Sequence, residues 1–208
     1  RLHRAILQPA RSLAGAVAEV AFSLAYGWSA PRRSWPTALL AGTAAYAAVA
    51  ALVQGLALSA VALFALVIVA LAVSLRLMPR GAPGSAPVVP PRWDLPARMV
   101  LATTVVLVLT ALAPRLGARW SGLLATYPLF AAILTAFGHR QESAGAAIGV
   151  LRGLLFGLFS FAGFCLVLAL GLVPLGIAGA FAAASAVALL AQGISLWRLR
   201  APGGPGPS

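Results

Sequence analysis

Residues 35–78 read WPTALLAGTAAYAAVAALVQGLALSAVALFALVIVALAVSLRLM and carry no charge before Arg76. As one helix this run would measure about 66 Å at 1.5 Å per residue, twice the roughly 30 Å hydrocarbon thickness of a bilayer. It must therefore fold back on itself. Gln54-Gly55 is the expected turn, where a polar residue meets a helix breaker. Two adjacent apolar segments, each about the length of a bilayer crossing, set the fold class as all-α and transmembrane.

The same reading extends over the whole chain of 208 residues, of which 62% are apolar and 9% charged. An average globular protein has about 25% charged residues, so this chain has too few polar side chains to cover a water-facing surface. Seven spans are expected, at 12–30, 36–54, 56–77, 97–113, 120–138, 149–172 and 174–197. Between them Pro79, Pro83, Pro87, Pro90, Pro91 and Pro96, with Gly81 and Gly84, exclude a regular helix. The chain thus divides into an N-terminal membrane half (1–78), a Pro/Gly-rich linker (79–96), a C-terminal membrane half (97–200) and a disordered tail (201–208).

Fifteen basic residues against three acids give a net charge of +12 and a pI near 11.9, a balance often seen in nucleic-acid binders. Distribution excludes that class. The basic residues, all of them Arg, stand singly or in pairs between apolar runs, where no continuous basic groove can form. They are membrane-edge anchors, and Arg76, Arg80, Arg92 and Arg98 are expected on anionic lipid headgroups. With seven spans, ten arginines fall on one side (32, 33, 76, 80, 92, 98, 140, 152, 198 and 200) and five on the other (1, 4, 11, 115 and 119). The positive-inside rule then places the linker and the C-terminus in the cytoplasm, and the compartment expected is a bacterial inner membrane.

An internal repeat is visible when the halves are aligned. Pro36 through Gln54-Gly55 matches Pro174 through Gln192-Gly193 with the same spacing, and Arg11-Ser12-Leu13 matches Arg152-Gly153-Leu154. Span 1 would run inward and span 6 outward, so the repeat would be inverted, an arrangement used by many secondary transporters. The partners of spans 4 and 5 would then lie before Arg1, and the N-terminal half would be an incomplete repeat. A signal peptide over Ser12 to Gly27 is the rival reading of the N-terminus, and Glu19 in its middle argues against it.

Few residues could carry chemistry. Glu19 is the one acid within a span, where a carboxylate costs at least about 2.5–3.5 kcal/mol unless it is protonated, paired or hydrated. Ser12, Ala16, Glu19, Ser23 and Tyr26 follow spacings of four and three and share one helix face. In span 5, Pro128 falls half-way, so a break is expected near Thr126, with Thr126, Tyr127 and Ser121 as the nearest polar groups. Glu19, Ser23, Tyr26, Thr126, Tyr127 and Pro128 form the candidate substrate or ion site. Gly153 and Gly157 form a GxxxG pair expected to pack a second helix. His139 reads as a solvated residue closing span 5. Cys165 is the sole cysteine, so no disulfide or Cys cluster can form within the chain. No P-loop, Rossmann glycine fingerprint, GxSxG elbow or metal-binding His pair is present; neither a cofactor nor an enzymatic activity is expected.

Gly122-Leu123, Pro128 and Phe130-Ala131, followed by the charged loop from His139 to Glu142, resemble the pattern of the GlpM-like group of small bacterial inner-membrane proteins. The resemblance covers spans 4 to 7. Where that pattern has a His later in the helix, this chain has Thr135. The resemblance implies a cytoplasmic-membrane protein, in a group sometimes associated with export or envelope polysaccharide production. The expected function is thus a permease-type protein, alone or as a homo- or hetero-oligomer. The alternative is a non-transporting accessory subunit of an envelope-assembly or export complex.

Overall fold

The computed structural model describes residues 2–56, 58–79 and 127–200, with parts of 96–111. Among these residues there is helix and turn but no strand. Six helices have defined ends: α1 (Leu2–Ser29), α2 (Trp35–Gln54), α3 (Ala60–Leu77), α4 (Leu129–Gln141), α5 (Ala144–Gly171) and α6 (Gly176–Arg200). Four segments are long and apolar enough to cross a bilayer: Trp35–Val53, Ala60–Leu77, Ala144–Gly171 and Gly176–Ile194. This is the make-up of a multi-pass membrane protein.

These four correspond to the spans expected at 36–54, 56–77, 149–172 and 174–197. The other three expected spans differ. The segment 12–30 lies within α1 except for Ala30; the helix is long enough, at 28 residues, but is diluted by Glu19 and several hydroxyls. The described residues of 97–113 include only a shorter apolar helix, Met99–Val108. Of 120–138, residues up to 126 lie outside the described residues, and the helix that follows has 13 residues, about 20 Å and too short to cross alone. The linker 79–96 and the tail 201–208 also lie largely outside the described residues.

The turns form where local chemistry requires them. Pro36 stands in the first turn of α2, where its missing N–H costs no helical bond. The Ser59 and Ser143 hydroxyls accept from the amides of Ala62 and Ala146, capping α3 and α5. Gly176 has φ +66°, a left-handed conformation that favours glycine, and it reverses the chain into α6.

Helix α1 is the centre of the bundle and packs against α2, α3 and α5. Its Leu13, Phe22, Ser23 and Tyr26 are fully buried. Gly42 brings α2 close, since a Cβ there would stand 3.0 Å from the Phe22 ring and 3.2 Å from the Phe22 carbonyl. Gly27 similarly admits Met78. The outer faces are apolar: Ile177 is 74% and Leu189 73% exposed, surfaces suited to lipid and costly in water.

Arg32, Arg33, Arg76, Arg140 and Arg152 gather at one end of this bundle. Trp28 Nε1 donates to the Leu77 carbonyl at 3.0 Å, which joins the C-terminal ends of α1 and α3. The Arg152 guanidinium, in the third turn of α5, donates to the carbonyls of Leu75 and Met78 at 3.4 and 3.5 Å, meeting two of the acceptors left open where α3 ends. Arg32, Arg33, Arg76 and Arg140 stand at the adjoining helix ends. The opposite end carries the turns at Gly55 and Leu172–Leu175, which have no charge.

Candidate functional site

The site forms where α4, packed on α5 and α2, meets α1 through Tyr26. Its first part is a line of polar groups on α1. Glu19 lies ten residues before the end of α1, about 15 Å from the arginine-bearing end. It is partly buried and forms no hydrogen bond or ion pair among the described residues. One turn further is Ser23, fully buried, with its hydroxyl unpartnered. One turn beyond that is Tyr26, whose phenol lies 3.2 Å from Nδ1 of His139 and donates to the Thr135 carbonyl at 3.5 Å. A phenol has one proton and can also accept. When that proton goes to the Thr135 carbonyl, Nδ1–H of His139 donates to the phenolic oxygen; in the other tautomer the phenol donates to Nδ1.

His139 is therefore not the solvated helix terminus that its position in a charged loop suggested. It is partly buried against the Tyr26 ring, with centroids 6.0 Å apart, and burial lowers its pKa from the ordinary 6.5. Thr135, one turn earlier on the same face of α4, is fully buried with an unpartnered hydroxyl.

The second part is the start of α4. A break was expected near Thr126; among the described residues a helix begins directly after Pro128, and residues up to 126 lie outside those described. The Pro128 φ of −75° and ψ of 63°, with the Leu129 amide donating to the Tyr127 carbonyl at 2.7 Å, make an inverse γ-turn. The ring disfavours helical geometry at Tyr127, and the ψ of 63° takes Pro128 itself out of the helix, so α4 begins at Leu129. No side chain caps it. This uncapped start lies deep in the bundle, because the Tyr127 hydroxyl is 2.9 Å from that of Thr43, eight residues or about 12 Å into α2. Tyr127 also meets Tyr46 edge-on at 5.3 Å and Phe22 at 6.2 Å between centroids.

Of the six candidate residues, the structure brings Tyr26, Tyr127 and Pro128 into one neighbourhood through Phe22 and α4, with Ser23 and Glu19 one and two turns away along α1. Thr126 and Ser121 lie outside the described residues. The packing expected at Gly153 and Gly157 is not found among the described residues, since no atom lies within 4 Å of where a Cβ would stand at either. Close approach is instead made at Gly42 and Gly27. Ser160 donates to the Gln192 side-chain oxygen at 3.0 Å and so joins α5 to α6. Thr43 and Tyr46 were not singled out by sequence reasoning, and His139 was read only as a solvated residue. Thr43 and Tyr46 did carry a signal, as two hydroxyls three residues apart in an Ala-rich helix.

No protein-family model, curated protein or solved structure matches this chain. Its function must be argued from the site alone. Among the described residues no group of three His, Cys, Asp or Glu could hold a metal ion.

Proposed function

We propose that the chain is a non-enzymatic, permease-type protein of a bacterial inner membrane, with its arginine-bearing end in the cytoplasm. The observation that carries this reading is the polar line from Glu19 through Ser23 and Tyr26 to His139, within a fold whose outer faces are apolar. Ionisable and hydroxyl groups at membrane depth are expensive and recur on ion and proton pathways. Each member of this line can both give and take a proton, and Tyr26 and His139 already share one contact. The uncapped start of α4 at mid-depth adds a second feature found at transporter sites, a half-helix terminus near the midplane.

The seven-span topology, the inverted repeat and affiliation with the GlpM-like group belong to the same proposal. The pairing of α1 with α2 and of α5 with α6 supports the repeat. Accessibility of single cysteines introduced at the ends of α1 and α5 tests it: α1 is expected to run inward and α5 outward. Arg76, Arg80, Arg92 and Arg98 are proposed to contact anionic headgroups in the cytoplasmic leaflet.

The activity test is proton flux in proteoliposomes, read by a trapped pH-sensitive dye under an imposed gradient. Flux is expected in the native protein and lost in Glu19→Gln. Normal flux in both Glu19→Gln and Pro128→Ala overturns the site. Absence of flux in the native protein, with a stoichiometric partner recovered by cross-linking, establishes the accessory-subunit reading instead.

A further inference from the structure

The face of α4 turned away from Thr135 and His139 borders a half-enclosed cavity of about 590 Å³, within the roughly 300–1,000 Å³ of small-molecule sites. It runs the length of α4, from Tyr127 and Leu129 at one end to Arg140 and Gln141 at the other. That distance is about 18 Å, so the cavity is an elongated slot, long enough to take an extended acyl chain. Between its ends the wall is apolar, with Ile133 and Phe137 of α4 facing Leu39 of α2.

Its polar end is cationic. Arg140 is exposed and makes no ion pair among the described residues, and Glu142, the acid nearest in sequence, does not line the slot. Trp35, also in the wall, opens α2 at the same end, the depth at which tryptophan settles in the headgroup belt. A planar guanidinium there presents two parallel donors to a carboxylate or phosphate.

We infer that this slot binds the acyl chain of an anionic amphiphile, with the chain along α4 and the anionic head on Arg140. The site stands whether or not the protein transports, because occupancy can be read without flux. Two sources share this chemistry, a free fatty-acid carboxylate and a phospholipid phosphate, and separate probes distinguish them.

The test uses the full chain in uncharged detergent and tryptophan quenching by chain-brominated dibromostearate, dibromo-phosphatidylglycerol and dibromo-phosphatidylcholine. Saturable quenching is expected for at least one anionic probe at a concentration at least tenfold below that needed for the phosphatidylcholine, and it should vanish in Trp35→Phe. Arg140→Gln, at an exposed position where folding is not at issue, should erase the tenfold preference. Ala136→Phe should fill the slot and remove saturation. Preference for dibromostearate assigns a free carboxylate, and preference for dibromo-phosphatidylglycerol assigns a lipid phosphate. Equal potency of all three probes on the native chain, or an unchanged preference in Arg140→Gln, overturns the assignment.

Discussion

The hydroxyl of Tyr26 lies 3.2 Å from Nδ1 of His139, joining the last turns of α1 and α4 across a sequence separation of 113 residues. This contact ties the polar line on α1 to the arginine-bearing end. Tyr26→Phe keeps the ring and removes the oxygen. It should lower stability by about 0.5–1.5 kcal/mol, the net worth of one hydrogen bond, and reduce proton flux. Thermal unfolding in detergent and the proteoliposome assay read the two effects separately.

His139 also sets a pH dependence. Burial lowers its pKa below 6.5, so in the interval between the folded and unfolded values the unfolded chain binds more protons. Its contribution to stability is therefore present above about pH 6.5 and lost as pH falls through that value toward the depressed folded one. Melting temperature is expected to fall on acidification through this window in the native protein. In His139→Gln this component should disappear; an unchanged pH slope would exclude His139 as its source.

Ser23 and Thr135 bury hydroxyls without partners, each an arrangement that costs about 1–3 kcal/mol. Ser23→Ala and Thr135→Val should leave stability unchanged or raised. If the hydroxyls serve a proton path, the same variants lose flux, a stability gain at the expense of activity. Paired melting and flux measurements decide it.

Glycine substitutions should separate the packed interface from the open one. Gly42→Leu would force side-chain atoms into the Phe22 ring and carbonyl and should destabilise by about 1–3 kcal/mol or more. Gly153→Ala and Gly157→Ala meet nothing within 4 Å and should be neutral, or stabilise by about 0.5–1 kcal/mol through helix propensity. Chemical denaturation in mixed micelles reads both.

The sequence carried the four most apolar helices because hydropathy and length alone define them, and Gln54-Gly55 marked their first turn correctly. Pro128 was legible as a break but not as a helix start, since the ring's geometry allows either until the residues before it are placed. The α1 stripe was legible because helical periodicity sets which residues share a face. His139 was misjudged for a different reason. Its burial depends on Tyr26, and no local pattern reports a contact across 113 residues. At Gly153 and Gly157 the GxxxG pair has no close neighbour among the described residues, because small residues permit a neighbour without supplying one.

Helix α4 is a thirteen-residue partition with unlike sides. One side holds Thr135 and His139 against α1, and the other lines the slot with Ile133, Phe137 and Arg140. A displacement of α4 that widened the slot would also move the ring of His139 relative to Tyr26. The 3.2 Å contact is therefore a built-in strain gauge, and the environment of His139 should register what fills the space behind it.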